Sequence, residues 1–190
     1  MVLRINLAKP SVVSMKKQGL LNLLILLLTC HLAFPAQAMS RHHDGEARVW
    51  SQDDKLCLGV APTYKTGGIL FSGTAQVNDN DVRLHAISVS AVDKDMWHAY
   101  IPPESSAEGV RVTSDTCISY GQSLAGFTTK TPAQPINPGL YSVILEAGDQ
   151  KNRRARFYLK ACISLTQNTW AVTPAKFNEN ETGSSRFYCD

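Results

Sequence analysis

The chain lacks a second long apolar run, and therefore lacks a candidate membrane-spanning helix after residue 38, since such a helix needs about 20 apolar residues. Its one long apolar run, Leu20–Leu28 with a looser extension to Phe34, is too short for a comfortable span. Two lysines, Lys16-Lys17, precede this run, and Pro35-Ala36-Gln37-Ala38 follows it. A basic start, a short apolar core and a small-x-small site together predict a cleaved secretory signal peptide at residues 1–38.

Once the signal is removed, the chain also lacks an excess of positive charge. The signal carries four basic residues and no acidic one, so the remaining 152 residues hold 15 basic and 16 acidic side chains. Nucleic-acid-binding proteins normally show a basic stripe or a high pI, and the balanced charge argues against a nucleic-acid partner. A chain of this length has room for one domain with its own hydrophobic core. We expect it to be soluble in the periplasm.

No segment after the signal has the periodicity of a convincing amphipathic helix. Short alternating segments separated by turn signals at intervals of roughly 8 to 12 residues predict an all-β fold instead. We expect a small antiparallel sandwich, immunoglobulin-like and cross-linked by disulfides, with a small open β-barrel as the alternative. The expected organisation is a flexible lead-in at residues 39–54 and one β-sandwich domain at residues 55–190, with a disulfide-tied C-terminal tail. Met15 is an alternative start of translation.

Two segments carry the clearest strand patterns. In Arg153–Ser164, one face holds Ala155, Phe157, Leu159, Ala161 and Ile163, and the opposite face holds Arg154, Arg156, Tyr158, Lys160 and Cys162. This period of two is typical of a half-buried strand. In Val82–Val92 the alternation changes phase beyond Ile87, which predicts a β-bulge or a bend near Ala86-Ile87.

The cysteine count is even outside the signal. Cys30 lies within the signal, and the remaining four are Cys57, Cys117, Cys162 and Cys189. In an exported protein this predicts disulfides, and four cysteines allow three pairings. We favour Cys57 with Cys117 and Cys162 with Cys189, because the second bond would hold a C-terminal segment that is otherwise prone to fray. Alternatively, Leu27-Leu28-Thr29-Cys30 resembles a lipobox, in which case Cys30 would carry a lipid and anchor the protein to a membrane.

The sequence lacks a recognisable catalytic or metal-binding motif. The stretch Gly121–Gly126 misses the Gly-x-Ser-x-Gly elbow of serine hydrolases by one residue, and Ser123 is followed by no helical pattern. The pair His42-His43, near Asp44 and Glu46, lies in the predicted lead-in, where nothing would fix a coordination geometry. Asn78–Asp81 has calcium-like oxygens without the glycine and distal glutamate of an EF-hand loop. We therefore predict no enzyme, no cofactor and no metal.

One cluster of side chains is a candidate for partner binding. Arg154, Arg156, Tyr158 and Lys160 share a face of the strand predicted at Arg153–Ser164. Arginine and tyrosine are enriched in protein–protein interfaces. The competing interpretation is an ordinary solvated outer face of a sheet.

Four segments, read in order, resemble a known family. They are Asp54-Lys55-Leu56-Cys57-Leu58, Cys117-Ile118, Asn137–Val143 and Arg156-Phe157-Tyr158-Leu159. They resemble enterobacterial exported proteins described as type VI secretion immunity periplasmic lipoproteins, over about residues 53–163. The chain departs from the family pattern in lacking a convincing lipobox and in adding a tail with Cys162 and Cys189.

The resemblance implies a β-rich protein that protects its own cell by binding an incoming toxin in the periplasm. Such a protein acts through a surface, and an acidic toxin would be favoured at the face of Arg154 and Lys160 by electrostatic steering. A second hypothesis is an immunoglobulin-like adhesin or pilus-assembly module, with a donor segment at Ser40–Val49. A third is a periplasmic hydrolase or a protein inhibitor of one. The hydrolase would need a histidine within hydrogen-bond reach of Ser123.

Overall fold

The computed structural model describes residues 43–67, 73–92, 94–166, 169–182 and 186–190. The predicted signal peptide at residues 1–38, Cys30 within it, and His42 lie outside the described residues. In the described part of the chain, no helix is both long and apolar enough to cross a membrane.

The described residues form thirteen strands. In chain order they are β1 (Gly45–Gln52), β2 (Lys55–Thr66), β3 (Gly73–Gln76), β4 (Arg83–Ala91), β5 (Lys94–Tyr100), β6 (Val110–Arg111), β7 (Ile118–Ser119), β8 (Thr128–Thr131), β9 (Gly139–Gly148), β10 (Arg154–Thr166), β11 (Thr169–Pro174), β12 (Lys176–Phe177) and β13 (Phe187–Tyr188). The predicted all-β class is confirmed.

Eleven of these strands form one sheet, and eight of the eleven follow the order β3-β2-β1-β10-β9-β4-β5-β8. Three more strands lie beside this path, since β7 pairs with β2, β6 with β4, and β11 with β10. The sheet is mixed and not wholly antiparallel as expected, because β1 runs parallel to β10, with Gly45 opposite Phe157. Strands β12 and β13 form a separate two-stranded sheet, which we call the C-terminal hairpin.

The large sheet bends back on itself and produces the two layers of a sandwich. Tyr120 follows β7, which pairs with β2, yet its hydroxyl donates a hydrogen bond to the carbonyl of Met96 in β5 at 2.9 Å. Its ring also packs edge-on against Trp97, with 5.5 Å between the ring centroids. Strands that are far apart in the order of the sheet therefore face each other. Among the described residues β3 and β8 do not pair, so the sheet stays open.

One hydrophobic core fills the space between the two layers. Its largest fully buried side chains come from six strands and their connections, and they are Trp97, Tyr64, Phe157, Leu58, Leu84, Ile87, Ile118, Leu145, Ile163, Val60, Val77 and Val82. The alternation seen in the sequence places these residues on the inward side of their strands. The predicted bulge in β4 is confirmed, because the register with β9 shifts between Leu84 and Ala86.

The expected flexible lead-in is wrong for residues 45–52, which form strand β1. This strand lies in the interior of the sheet, antiparallel to β2 and parallel to β10. Gly45 and Ala47 are buried while Glu46 and Arg48 are exposed, so the segment does alternate. The alternation was missed because its inward residues are small and carry a weak hydrophobic signal.

Both expected disulfides are present. Cys57 is bonded to Cys117 and Cys162 to Cys189, which is the favoured pairing. The first bond connects β2 to the segment before β7, and the second connects β10 to the residue that follows β13. Two disulfides are consistent with an oxidising compartment outside the cytoplasm.

Candidate protein-binding surface

The outward side of β10 carries the side chains that the sequence analysis selected. The side chains of Ala155 and Phe157 are buried on the core side of the sheet. Arg154 and Arg156 are exposed on the other side, and Tyr158 is half-buried there. Lys160 is also half-buried and follows the same alternation. We call the outward side of β10, β9, β4 and β5 the outer face. The four predicted residues therefore form one column along this face, as expected from their period of two.

Three members of this column have identified contacts. Arg156 donates from Nε at 3.1 Å and from Nη2 at 2.6 Å to Oε1 of Glu146 on β9. The Nζ of Lys160 lies 4.1 Å from the ring centroid of Phe187 in the C-terminal hairpin. The ring of Tyr158 lies 5.8 Å from that of His43. Burial raises the pKa of Tyr158, and a hydrogen bond with Ser142 acts in the opposite direction.

Arg154 differs from these neighbours. It is exposed, and none of the ion pairs found among the described residues includes it. Its positive charge is available to a partner without the loss of an existing salt bridge. Contacts to an already paired charge such as Arg156 would instead require competition with Glu146.

The centre of the outer face carries the uncharged side chains of Ile144, Ser142, Ser88 and Ser90. In register across the sheet, Tyr158 lies opposite Ile144, Ile144 opposite Ser88, and Ser88 opposite His98. The neighbouring row contains Ser142 and Ser90. Small side chains at these positions let another surface approach the backbone closely, and the charged residues lie toward the ends of the rows. An uncharged centre with a charged rim is the usual arrangement of a protein interface.

The C-terminal hairpin extends this column. The backbone N–H of Ala175 donates to the carbonyl of Lys160 at 3.0 Å, and Cys189 is bonded to Cys162 on the outward side of β10. In the hairpin, the rings of Phe177 and Phe187 meet edge-on with 5.2 Å between centroids. Sequence reasoning missed this contribution to the surface. The cysteine that follows Phe187-Tyr188 was the available signal, since a disulfide to β10 had to bring those aromatic residues to the outer face.

The serine considered as a nucleophile lies in a loop and lacks a catalytic partner. Ser123 is exposed between β7 and β8, and no histidine in the described part of the chain donates to it or accepts from it. A shallow, open depression nearby is lined by Asp54, Lys55, Leu56, Ser119, Tyr120, Gly121 and Gln122 and does not include Ser123. Neither feature supplies the nucleophile and base that hydrolysis requires.

The oxygen-rich candidates for metal binding are engaged in structural contacts. The side chain of Asn78 bonds to Ser114, and Asp81 forms ion pairs with Arg83 and Arg111. Asp44 accepts a hydrogen bond from the backbone N–H of Arg156 at 3.0 Å. Over the described residues, no group of three or more potential ligands could hold a metal ion.

The most perturbed ionisable groups belong to a buried network at the β9–β10 turn. Asp149 accepts from Tyr64 at 2.6 Å, from Nε of Arg153 at 2.7 Å, and from the backbone N–H groups of Lys151 and Arg153. Burial alone would raise the pKa of Asp149, but these hydrogen bonds lower it to about 2. Burial, together with the hydrogen bond and charge of Asp149, raises the pKa of Tyr64 to about 12. Every member is satisfied, so the network holds the turn in place and has no free group for catalysis.

Comparisons with protein-family models, with curated proteins and with solved structures give no match for this chain.

Proposed function

We propose that this chain is an exported, non-enzymatic binding protein of the periplasm that neutralises a toxin delivered by type VI secretion. The observation that carries the proposal is the outer face. It combines a centre of serine and isoleucine side chains with a column of cationic and aromatic side chains, Arg154, Arg156, Tyr158 and Lys160, on a sheet cross-linked by two disulfides. Such a surface suits tight contact with another protein. The family resemblance of the sequence supplies the identity of the partner as a toxin.

The mechanism that fits this surface is occlusion. A sheet fixed by a continuous core and two disulfides presents its outward side chains with little freedom, so that binding costs little conformational entropy. Cationic residues at the rim attract an acidic partner over a distance and accelerate the encounter. A toxin held against the outer face would be denied its substrate without any chemical step by the binding protein.

The test is deletion of the gene in a strain that carries the matching secretion system. The deletion strain should be killed in contact with its unmodified parent, and export of the intact protein from a plasmid should restore survival. A matched attacker whose secretion system has been inactivated separates toxin delivery from general loss of fitness. If the deletion strain survives contact with the parent as well as the parent itself does, the immunity function is excluded.

The alternative of an adhesin or pilus-assembly module has less support. That hypothesis assigned Ser40–Val49 as a donor segment for a neighbouring subunit. The described part of that segment forms the start of β1, which pairs with β2 and β10 of its own chain. A strand already placed in the interior of its own sheet is not available for donation.

A further inference from the structure

We propose that the C-terminal hairpin is the aromatic anchor of the binding surface, and that it takes a protein partner whose contacting surface is acidic. The inference rests on the proposed function, because it assigns residues and partner chemistry to the same surface. The strands concerned are β12 and β13, which bring Phe177 and Tyr188 to the protein surface.

Exposure first distinguishes the hairpin. Among the described residues, the exposed large hydrophobic side chains are Val92, Leu165, Phe177 and Tyr188, and two of these four lie in this short element. Phe177 is 49% exposed and Tyr188 is 45% exposed. Solvent-exposed aromatic side chains have no stabilising role in the core of the domain. Aromatic residues of this kind dominate the binding energy of protein interfaces.

The hairpin is also held rigidly in place. A disulfide joins Cys189 to Cys162, and Lys176 forms an ion pair with Asp190 at 2.6 Å. The backbone N–H of Asn178 donates to the carbonyl of Arg186 at 2.7 Å, which connects the two strands. Aromatic groups fixed in advance lose little entropy on binding, so their contact area contributes more fully to affinity.

Two cations lie against the rings of the hairpin. Nζ of Lys160 lies 4.1 Å from the Phe187 ring centroid, and Cζ of Arg186 lies 4.9 Å from that of Phe177. Neither cation, nor Arg154 farther along β10, has a carboxylate within salt-bridge distance in the described part of the chain. Two carboxylates on this surface, Glu146 and Asp190, are each already paired with a cation.

The cations without an ion pair indicate which kind of partner fits this surface. An acidic protein surface would complete the charges of Lys160, Arg186 and Arg154 while Phe177 and Tyr188 enter its apolar pockets. A second copy of this chain is a poorer fit, since a symmetric contact would place the same cations against each other. Glu179 and Glu181, in the connection between β12 and β13, form no ion pair with these cations among the described residues.

The role of Phe177 and Tyr188 as the aromatic anchor is tested by expressing variants of the protein from a plasmid in the deletion strain. The double variant Phe177→Ala/Tyr188→Ala should lose protection against the parent, because truncation of each hot-spot aromatic weakens binding by about 30-fold. Leu165→Ala is the matched control, as Leu165 is 46% exposed and lies on the opposite face of β10 from Lys160. This control should protect as well as the intact protein. Periplasmic abundance and the thermal midpoint of both variants are measured to establish that they fold.

The outcomes separate the two proposals. Failure of the intact protein to protect overturns the proposed function. Protection by the intact protein and equally by Phe177→Ala/Tyr188→Ala overturns the anchor alone. Loss of protection by the double variant, at normal abundance and thermal midpoint, supports the anchor.

A charge reversal tests the acidity of the partner. Arg154→Glu removes an exposed cation that forms no ion pair in the described residues, so it should weaken protection while leaving the fold intact. Lys55→Glu, at the exposed start of β2, is the control and should have no effect. Equal protection by both variants overturns the acidic partner. Cosedimentation with phosphatidylglycerol vesicles that is abolished by Phe177→Ala/Tyr188→Ala would assign the surface to lipid and overturn a protein occupant.

Discussion

At the scale of single residues, Asp149 shows most clearly how tertiary contacts control chemistry. Its carboxylate is buried, and the hydroxyl of Tyr64, the guanidinium of Arg153 and two backbone N–H groups saturate its lone pairs. A reactive carboxylate in a pocket would have kept an open position for substrate. Sequence patterns could not predict Tyr64 as a partner of Asp149, because the two residues are 85 positions apart.

Replacing Asp149 with asparagine should destabilise the protein in a pH-dependent way. The folded pKa of about 2 lies below the ordinary value of 3.8, so the charged carboxylate stabilises the fold above about pH 4. That contribution is lost as the pH falls from about 4 to about 2. We expect Asp149→Asn to lower the free energy of unfolding at pH 7 by about 3 kcal/mol, because Arg153 loses its buried partner.

Urea unfolding at pH 7 and at pH 3 measures this effect. The intact protein should lose stability between the two conditions, and Asp149→Asn should lose less. Asp79→Asn, in the exposed turn before β4, is the control and should resemble the intact protein at both pH values. A variant at Asp149 that matches this control would contradict a stabilising role for the network.

At the scale of elements, β1 shows where a sequence pattern is too weak to find a strand. Its inward positions include Gly45 and Ala47, which carry little hydrophobic signal, yet the fold requires small residues there. A Cβ atom at Gly45 would lie 2.6 Å from a ring carbon of Phe157. By contrast β10 was predicted correctly, because Phe157, Leu159 and Ile163 give a strong alternation. The difference follows from side-chain size, since hydrophobic patterns detect buried area and not backbone pairing.

Removal of β1 should prevent folding. A chain that begins at Asp53 would leave β2 and β10 without their shared neighbour and expose Val60, Tyr64 and Phe157 to water. A chain that begins at Met39 retains the strand and is the control. We expect the shorter chain to lack the cooperative thermal unfolding of the control when both are followed by circular dichroism. Cooperative unfolding of the shorter chain would show that the domain begins after β1.

At the scale of the whole molecule, the two disulfides have different roles. Cys57–Cys117 joins buried strand β2 to the segment before β7, 60 residues later in the sequence, and it constrains the two-layer core. Cys162–Cys189 spans 27 residues and fixes the C-terminal hairpin against the outer face. In the chain-entropy model the longer closed loop contributes about 4 kcal/mol to stability and the shorter one somewhat less.

Paired cysteine replacements should separate these roles. Cys57→Ser/Cys117→Ser should lower the thermal midpoint of the whole domain. Cys162→Ser/Cys189→Ser should chiefly free the hairpin, so that trypsin cleaves after Lys176 and Arg186 while the rest of the domain stays intact. Limited proteolysis with mass spectrometry, alongside thermal unfolding, measures both effects. Equal proteolysis of the hairpin in the two variants would contradict its attachment through Cys189.

The sequence by itself determined the all-β class, the expectation of disulfides, and the alternation that places Arg154, Arg156, Tyr158 and Lys160 on one face. These features depend on local periodicity and on the even number of cysteines after residue 38, both of which are visible in the sequence. Only the tertiary structure decided that β1 pairs in parallel with β10 and that Tyr64 meets Asp149. It also placed Phe187 beside Lys160. Those contacts join residues far apart along the chain, and they depend on how the sheet bends around its core.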